Sequence, residues 1–364
     1  MTEFCNNTPL LTRDPRLLPF DSIADSEIEE LFALLADAPK LVLAVSGGPD
    51  SVALMLLAAR WSALRGTPAV VVASVDHGLR PSAAGEARAV VALAQWLGFE
   101  GRVLTWQGNK PRSGIQEAAR AARYRLLADA AYADGASHVV TAHHRDDQAE
   151  TVLMRLSGGS GIGGLSAMRP VAEMPETRIR LARPLLGLPK RRLIAITDEA
   201  GVQVVDDPAN RDPRFARARL RGHEAERSVL GLTPERLTRL AARAARAEDA
   251  LSTIAAGHYS TLVQDDRGHL TVSSDVWREP EEIVLRVLAL ALMQVTGVNR
   301  PVALERLERL GGEMHAARRA GAALRRTLHG ATVRLSSAGK IDIAPEPPRL
   351  RGRAGRGAGP IGDE

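Results

Sequence analysis

Cysteine is almost missing from this chain: there is 1 Cys in 364 residues, Cys5 near the start. A lone thiol builds neither a disulfide framework nor a Cys-based metal or iron–sulfur site, and it fits a reducing compartment. Aromatic residues are scarce too, at 3%. Broad base-stacking platforms of the single-strand-binding kind need more rings than that. No run approaches the ~20 apolar residues of a membrane span. Met1 to Phe20 carries Asp14 and prolines and lacks an apolar core, so it does not read as a secretory signal. The expectation is a cytoplasmic protein with no membrane contact. No internal repeat is visible.

What is present points to an enzyme-sized chain with an anionic partner. The length suggests two domains, or one large and one small. A chain of this size buries roughly 75% of its unfolded surface, so no covalent staple is required. Lys and Arg number 48 against 43 Asp and Glu, a formal net charge of +5. That balance favours anionic partners moderately, nucleic acid among them.

Residues 41 to 51 carry the strongest local pattern. Leu41 to Val45 is apolar without alternation, which suits a strand buried on both faces of a parallel sheet. It stops at Ser46-Gly47-Gly48-Pro49-Asp50-Ser51, and Val52 to Arg60 then reads as helix. Asp50 and Ser51 are good N-cap residues. A strand, a small-residue loop and a helix N-terminus present free N–H groups and a positive dipole end to an anion. Gly47 and Gly48 allow close backbone approach, and Ser46 and Ser51 add hydroxyls. The loop has no lysine and no Gly-Lys-Ser/Thr ending, so it is not a Walker A loop. An acid beside a phosphate repels it unless a cation lies between, so Asp50 implies Mg²⁺. The plain alternative is a glycine turn with Asp50 as a helix cap.

Further strands and helices follow in alternation. Ser26 to Ala38 reads as a helix, Ala69 to Val75 as a strand ending at Asp76-His77-Gly78-Leu79, Ser82 to Leu97 as a helix stopped by Gly98 and Val103 to Trp106 as a short strand. Ile115 to Asp134 is a long amphipathic helix, and His138 to Ala142 is a strand ending at His143-His144. This rhythm means a doubly wound parallel sheet, with ligands beyond the carboxyl ends of its strands. The sequences at 46, 76 and 143 all fall at such ends. Arg120 and Arg123 are three apart on one helix face and suit a phosphate clamp, or else a solvated face. Asp147 and Glu150 also point together. Paired carboxylates suit a cationic amine or Mg²⁺; the zincin spacing that would favour zinc is absent. An acidic, solvent-facing first turn is the alternative.

The phosphate loop resembles the Ser-Gly-Gly-x-Asp-Ser signature of the PP-loop ATP pyrophosphatases. Together with Asp76-His77-Gly78-Leu79 and His143-His144-Arg145-Asp146-Asp147-Gln148-Ala149-Glu150-Thr151, it resembles the tRNA isoleucine lysidine synthetase family. The glycine-rich turn after Arg155, Arg183-Pro184-Leu185-Leu186, Asp206-Asp207-Pro208-Ala209-Asn210 and the run Phe215, Arg217, Arg219, Arg221 are similar to later parts of that family. Ala209 stands where Ser is usual, and Ala218 where Asn is usual. The likeness is dense over residues 40 to 222.

That resemblance implies a PP-loop, adenine nucleotide α-hydrolase-like fold with a smaller C-terminal helical domain. It implies ATP and Mg²⁺ as cofactors, and L-lysine and the CAU-anticodon isoleucine tRNA as partners. The reaction would join lysine to the wobble cytidine through an adenylated intermediate. Ser46, Gly47, Gly48, Pro49, Asp50 and Ser51 would hold the pyrophosphate, with Asp50 on Mg²⁺, and Asp76 and His77 would lie beside adenine and ribose. Arg123 and Arg217 would steady the α-phosphate, and Asp147 and Glu150 would hold lysine. The rivals are another PP-loop enzyme, such as a 2-thiolation enzyme, an amidotransferase, and a non-catalytic ATP-gated RNA-binding protein. The lone Cys5 argues against the first, the absence of an evident glutaminase nucleophile against the second, and the acids at 50, 147 and 150 against the third. A homodimer is entertained as the assembly, with no residue arguing for it.

The domain expectation is a flexible leader over 1–27, a catalytic domain over 28–225, a mainly helical tRNA-binding domain ending in a hairpin over 226–345, and a disordered Pro/Gly/Arg tail over 346–364. The helical part rests on Thr233 to Ser252, with arginines at 236, 239, 243 and 246 suited to an RNA backbone, and on Glu281 to Thr296 and Pro301 to Leu310. The hairpin is expected within Thr327 to Ile343.

Overall fold

The computed structural model describes residues 20–347 apart from 67, 112, 175–176, 206–213, 215 and 299. Two compact units divide at Arg246 and Ala247. That division lies inside a long helix, α10 (Pro234–Leu262), whereas the change of pattern after Arg221 had suggested 225/226.

The first unit is built on a six-stranded sheet. Its strands are β1 (Lys40–Ala44), β2 (Ala69–Asp76), β3 (Glu100–Thr105), β4 (His138–Val140), β5 (Val171–Glu173) and β6 (Arg180–Ala182), in the spatial order β3-β2-β1-β4-β6-β5. All neighbours are parallel except β5, which pairs antiparallel with β6 at the edge. The central strand β1 pairs Leu41 with Val70 on one side and with His138 on the other. Leu41, Val42, Leu43 and Ala44 are all buried, as a strand covered on both faces demands.

Helices cover both faces. They are α1 (Asp25–Phe32), α2 (Pro49–Arg65), α3 (Ala83–Trp96), α4 (Ile115–Ala133), α5 (Arg145–Ser157), α6 (Ile162–Leu165), α7 (Lys190–Glu199), α8 (Ala216–Gly222) and α9 (Glu224–Val229). One core joins Leu41, Leu43, Phe32, Leu54, Leu57, Trp61, Leu193 and Ile196, and Phe32 stacks on Trp61 with ring centroids 4.8 Å apart. On the opposite face Val42, Ala44, Val71 and Ala73 pack against Leu127, Ala128 and Ala131 of α4. The alanines of α4 therefore serve helix-to-sheet packing.

The contact of α3 with β3 is tighter still. A Cβ added to Gly101 would lie 2.9 Å from Val91 Cγ1 and 3.2 Å from the Val91 backbone. Gly101→Ala is expected to cost about 1–3 kcal/mol by overpacking. Chemical denaturation would report it as a lower midpoint with unchanged slope; an unchanged midpoint would contradict the packing.

The leader expectation needs correction at its end. Residues 1–19 lie outside the described residues, but Phe20 and Ile23 are 7% and 3% exposed and belong to the core. Arg192 of α7 fastens the same stretch, donating to the Ser22 carbonyl at 2.7 Å and to Glu27 at 2.6 Å. Two isolated apolar residues give no periodicity, so only the packing reveals them.

The second unit is less helical than its sequence suggested. Beside α11 (Glu281–Thr296) and α12 (Leu304–Arg319) it holds a five-stranded antiparallel sheet. The strands are β7 (Val263–Asp266), β8 (His269–Val272), β9 (Leu324–Leu328), β10 (Ala331–Leu335) and β11 (Ile341–Pro345), in the order β7-β8-β11-β10-β9. The expected terminal hairpin is β10 and β11, with Val333 opposite Ile343. The strands β7 and β8 are four residues each, too short for a period-2 signal to stand out. Val284, Val287, Leu288, Ala291 and Leu292 of α11 fill the core with Val272, Val333, Ile341 and Ile343. Residues 348–364 of the expected tail lie outside the described residues.

Candidate active site

The strand order of the first sheet reverses at β1. The chain runs outward through β2 and β3 on one side, then returns to place β4 on the other. Loops leaving the carboxyl ends of β1 and β4 part there and leave a crevice. Asp50 follows β1 and His144 follows β4. Across the crevice His144 Nε2 stands 3.5 Å from Asp50 Oδ2.

The loop after β1 is shaped by its small residues. Gly47 has φ +91, and a Cβ there would meet Val205 Cγ2 at 3.0 Å and Val90 Cγ2 at 3.3 Å. The Val205 N–H donates to the Gly47 carbonyl at 2.9 Å. Helix α2 begins at Pro49, with Gly48 in extended conformation as its N-cap. This corrects the expectation that Asp50 or Ser51 caps the helix. Pro49 already has the φ of a first helical residue and lacks an N–H to satisfy, so the start falls one residue earlier. Ser51 instead ties the loop: its Oγ accepts from the Ser46 N–H at 3.1 Å and donates to the Gly48 carbonyl at 3.0 Å. The N–H groups of Gly47 and Gly48 have no hydrogen bond among the described residues. They and the α2 N-terminus form an anion cradle.

A cavity of about 530 Å³ opens beside this loop. Ser46, Gly48, Ser74, His77, Gln116 and Arg123 are among the residues lining it. A volume in this range holds a nucleotide. Arg123 reaches it from α4, and burial works against its charge. No carboxylate among the described residues pairs with it. Arg120, expected to join the clamp, is exposed and lies over the Tyr124 ring, 5.2 Å from its centroid. Asp76 does not line the cavity; its Oδ1 accepts from the Gly78 N–H at 2.8 Å and so holds the turn that presents His77. Lys110 donates to the Gly78 carbonyl at 2.9 Å, over the Trp106 ring.

The crevice itself is a network of charges. His144, 1% exposed, lies among three acids. Its Nε2 is 3.4 Å from Asp147 Oδ2, and its Nδ1 is 3.6 Å from Asp146 Oδ2. Burial opposes its protonation, but Asp146, Asp50 and Asp147 outweigh burial and push it up to about 9. Nδ1 also lies 3.4 Å from the Asp147 N–H, a contact suited to a neutral ring. At similar distances three carboxylate charges outweigh one N–H dipole, which favours the imidazolium. Asp146 also accepts from the Lys190 N–H at 2.9 Å and falls to about 2, the His144 and Lys190 contacts outweighing its burial. Burial would raise Asp50, yet His144, Lys190 and Arg221 hold it below the usual carboxylate range.

Asp147 and Glu150, both buried on α5, come together as their spacing implies. They are already paired. Arg221 donates to Glu150 Oε1 at 2.6 Å and approaches Asp147 Oδ1 at 3.5 Å. Arg217 stands 3.5 Å from Asp147 Oδ1 and 3.9 Å from Glu150 Oε2. Both arginines sit on α8, so Arg217 lies with the paired acids.

His143 was overlooked as more than half of a histidine pair. It is half-buried, and its Nδ1 is 2.8 Å from Thr141 Oγ1. Burial, reinforced by Arg183, Arg217, Arg123 and Arg120, pushes it down to about 3. The surroundings of the neighbouring histidines thus push them in opposite directions, His143 toward the neutral ring and His144 toward the cation. No sequence pattern separates them; only the surrounding charges do. Lys190 and Arg221 were missed as members of the crevice because they approach from α7 and α8.

The Asp50 carboxylate fits a divalent cation in one respect. Its Oδ1 is buried and has no hydrogen-bond partner among the described residues. Among the described residues no group of three or more His, Cys, Asp or Glu side chains forms a cation cage. Mg²⁺ commonly takes one or two carboxylates and completes its shell with phosphate oxygens and water, so a single acid beside a phosphate cradle suits it.

Residues 20–226 match the PP-loop domain family. Over 343 residues the chain is 49% identical to the tRNA(Ile)-lysidine synthase of Rhodopseudomonas palustris, covering 92% of this chain and 98% of that one. The chain belongs to the tRNA(Ile)-lysidine synthase family. A second member, from Bradyrhizobium sp. strain BTAi1, is 49% identical over 348 residues, covering 90% of this chain and 96% of its own. Among solved structures, the U34-tRNA thiolase NcsA from Methanococcus maripaludis, with its [4Fe-4S] cluster, superposes with a TM-score of 0.52 at 15% identity. That match covers 60% of this chain and 76% of the other, and shows a shared fold. The PP-loop likeness thus holds over residues 20–226, and the likeness to the lysidine synthases over about nine-tenths of the chain. This member of the lysidine synthase family carries an ATP-binding PP-loop domain, and among its described residues no helix is long and apolar enough to cross a membrane.

Proposed function

We propose that this chain joins L-lysine to the wobble cytidine of the CAU-anticodon isoleucine tRNA, consuming ATP and releasing AMP and pyrophosphate, in the cytoplasm. One observation carries the reading. A phosphate cradle with its acid, after β1, and a buried carboxylate pair, after β4, share one crevice through His144. A nucleotide-activating site and a cation-holding site lie side by side, as an adenylation followed by amine attack requires.

The cytosine O2 attacks the α-phosphorus of ATP, and the bond from that phosphorus to the bridging oxygen of pyrophosphate breaks. The N–H groups of Gly47 and Gly48 and the Ser46 hydroxyl receive the departing phosphates, and Arg123 meets charge on the α-phosphate. Asp50 would hold Mg²⁺, which would supply charge neutralisation for the phosphates. In the second step the lysine ε-amine attacks C2 of the adenylated base, and the C2–O bond breaks to release AMP. The free amine has a pKa of about 10.4, so it arrives as an ammonium and must lose a proton. Asp147 and Glu150 hold that ammonium and lie where a proton can be passed on.

The guanidiniums now on Asp147 and Glu150 mark the pair as a cation site. Lysine enters by exchange: its ammonium takes over part of the two carboxylates, and Arg217 is released toward the α-phosphate beside Arg123. Incubation with ATP, labelled lysine and the tRNA tests the proposal. Label in the tRNA with equimolar AMP is expected; AMP release without label in RNA would sink it.

A further inference from the structure

The loop at 46–51 offers N–H groups and hydroxyls to phosphates but contains no lysine. The fold brings one to it from another helix. Lys190, the first residue of α7, places its Nζ 3.9 Å from Asp50 Oδ2. Among the described residues Asp50 is the one carboxylate within 4 Å of that ammonium, and no hydrogen bond occupies it. At this distance the two charges attract without sharing a hydrogen bond, so the N–H donors of Lys190 remain open.

The backbone under this side chain is fixed. The Lys190 N–H donates to Asp146 Oδ2 at 2.9 Å, and the Arg145 N–H donates to the Leu188 carbonyl at 2.9 Å. Leu193 and Ile196 then lock α7 into the core shared with Leu54 and Leu57 of α2. The start of α7 thus lies beside the first turn of α2, where Asp50 stands. Three cations, Lys190, Arg191 and Arg192, open α7 at the end where the helix dipole disfavours them. Arg192 is offset by Glu27 and the Ser22 carbonyl, and Arg191 is exposed to water. Lys190 is half-buried and has Asp50 alone. That same oxygen of Asp50 already faces His144 Nε2 at 3.5 Å, so Lys190 is only partly neutralised.

We infer that Lys190 is a phosphate-binding residue, which supplies from α7 the ammonium that the loop lacks and holds the pyrophosphate end of ATP. Lys190 makes no ion pair with Asp147 or Glu150 among the described residues, so it lies with the acid of the phosphate cradle and not with the amine pair. It does not line the cavity beside Ser46, Gly48 and Arg123, but meets the loop from the α7 side. A nucleoside in that cavity, with its α-phosphate at Arg123, directs its outer phosphates over the Gly47 and Gly48 N–H groups toward Lys190. The flexible four-carbon stem lets the ammonium turn from Asp50 to a phosphate oxygen. Charge builds on the pyrophosphate as the bond from the α-phosphorus breaks, and a cation there favours its departure. The inference deepens the proposed reaction and rests on it only for which bond of ATP is broken.

The test is calorimetric titration of the full chain with ATP, inorganic pyrophosphate and AMP, with no RNA or lysine present. K190M is expected to weaken ATP and pyrophosphate about 10- to 100-fold, the scale of one charge-assisted hydrogen bond, and to leave AMP within roughly twofold. R191A removes the same charge from the same turn and should bind all three as wild type does. K190R should retain most of the pyrophosphate affinity, since it keeps the charge. A role limited to neutralising Asp50 is separated by D50N and D50N/K190M, measured without Mg²⁺: a direct contact still costs pyrophosphate affinity when lysine is lost from D50N. Wild-type pyrophosphate affinity in K190M would overturn the assignment. So would an equal loss for AMP, or a loss that vanishes in the D50N background. A melting curve accompanies each variant, and K190Q carries the same arms should K190M not fold. If lysine transfer to tRNA fails while these differences persist, Lys190 keeps its role and the proposed reaction falls. If transfer proceeds and the differences are missing, the reverse holds.

Discussion

Asp50→Ala is expected to reduce tRNA-dependent exchange of pyrophosphate into ATP by about 10²–10³-fold, the scale of removing one preorganised electrostatic interaction from a transition state. The carboxylate stands at the N-terminal turn of α2, beside N–H groups that carry no hydrogen bond among the described residues. Without it, the carboxylate proposed to hold Mg²⁺ would be gone. The fold should survive, because Asp50 is not the cap of α2 and Ser51 keeps its loop hydrogen bonds. The measurement is exchange of labelled pyrophosphate with no lysine present, alongside a melting curve. Exchange within threefold of wild type would remove Asp50 from the activation step.

Glu150→Gln should separate the two half-reactions. The charge-assisted hydrogen bond to a lysine ammonium contributes about 1.5–3 kcal/mol. Its loss should raise the lysine KM roughly 10- to 100-fold, each 1.4 kcal/mol being a factor of ten. Pyrophosphate exchange should stay close to wild type, since Glu150 faces α8 and not the phosphate cradle. Arg221 keeps Asp147 at 3.5 Å, so one acid still anchors that helix. A fall in exchange matching the loss of lysine transfer would mean that the pair supports the adenylation site, and the amine assignment would be wrong.

The sheet was legible from residues 40 to 142 because buried parallel strands are unbroken apolar runs with glycine or polar residues at their ends. Leu41 to Val45 and Ala69 to Val75 stand out for that reason. The edge strand β5, with residues Val171 to Glu173, had no such signal, nor did β7 and β8. The site was legible where its residues sit within one motif. Asp50 with its glycines and Asp147 with Glu150 are each local patterns. The crevice partners Lys190 and Arg221 are brought in by tertiary packing of other helices, and no spacing announces them. The cap on α2 was misplaced by one or two residues because Asp50 and Ser51 satisfy a capping preference that Pro49 pre-empts. Arg120 and Arg123 share a helix face in the pattern, yet a ring contact with Tyr124 takes Arg120 away from the cavity.

A single ring nitrogen of His144, Nε2, faces both Asp50 and Asp147. Whatever alters Asp50 therefore changes the electrostatic environment of Asp147. Anyone redesigning this enzyme to attach a different amine would find 147 harder to change than 150: substitutions at 147 would drift the surroundings of Asp50 as well, and paired replacements at 50 and 147 should depart from additivity.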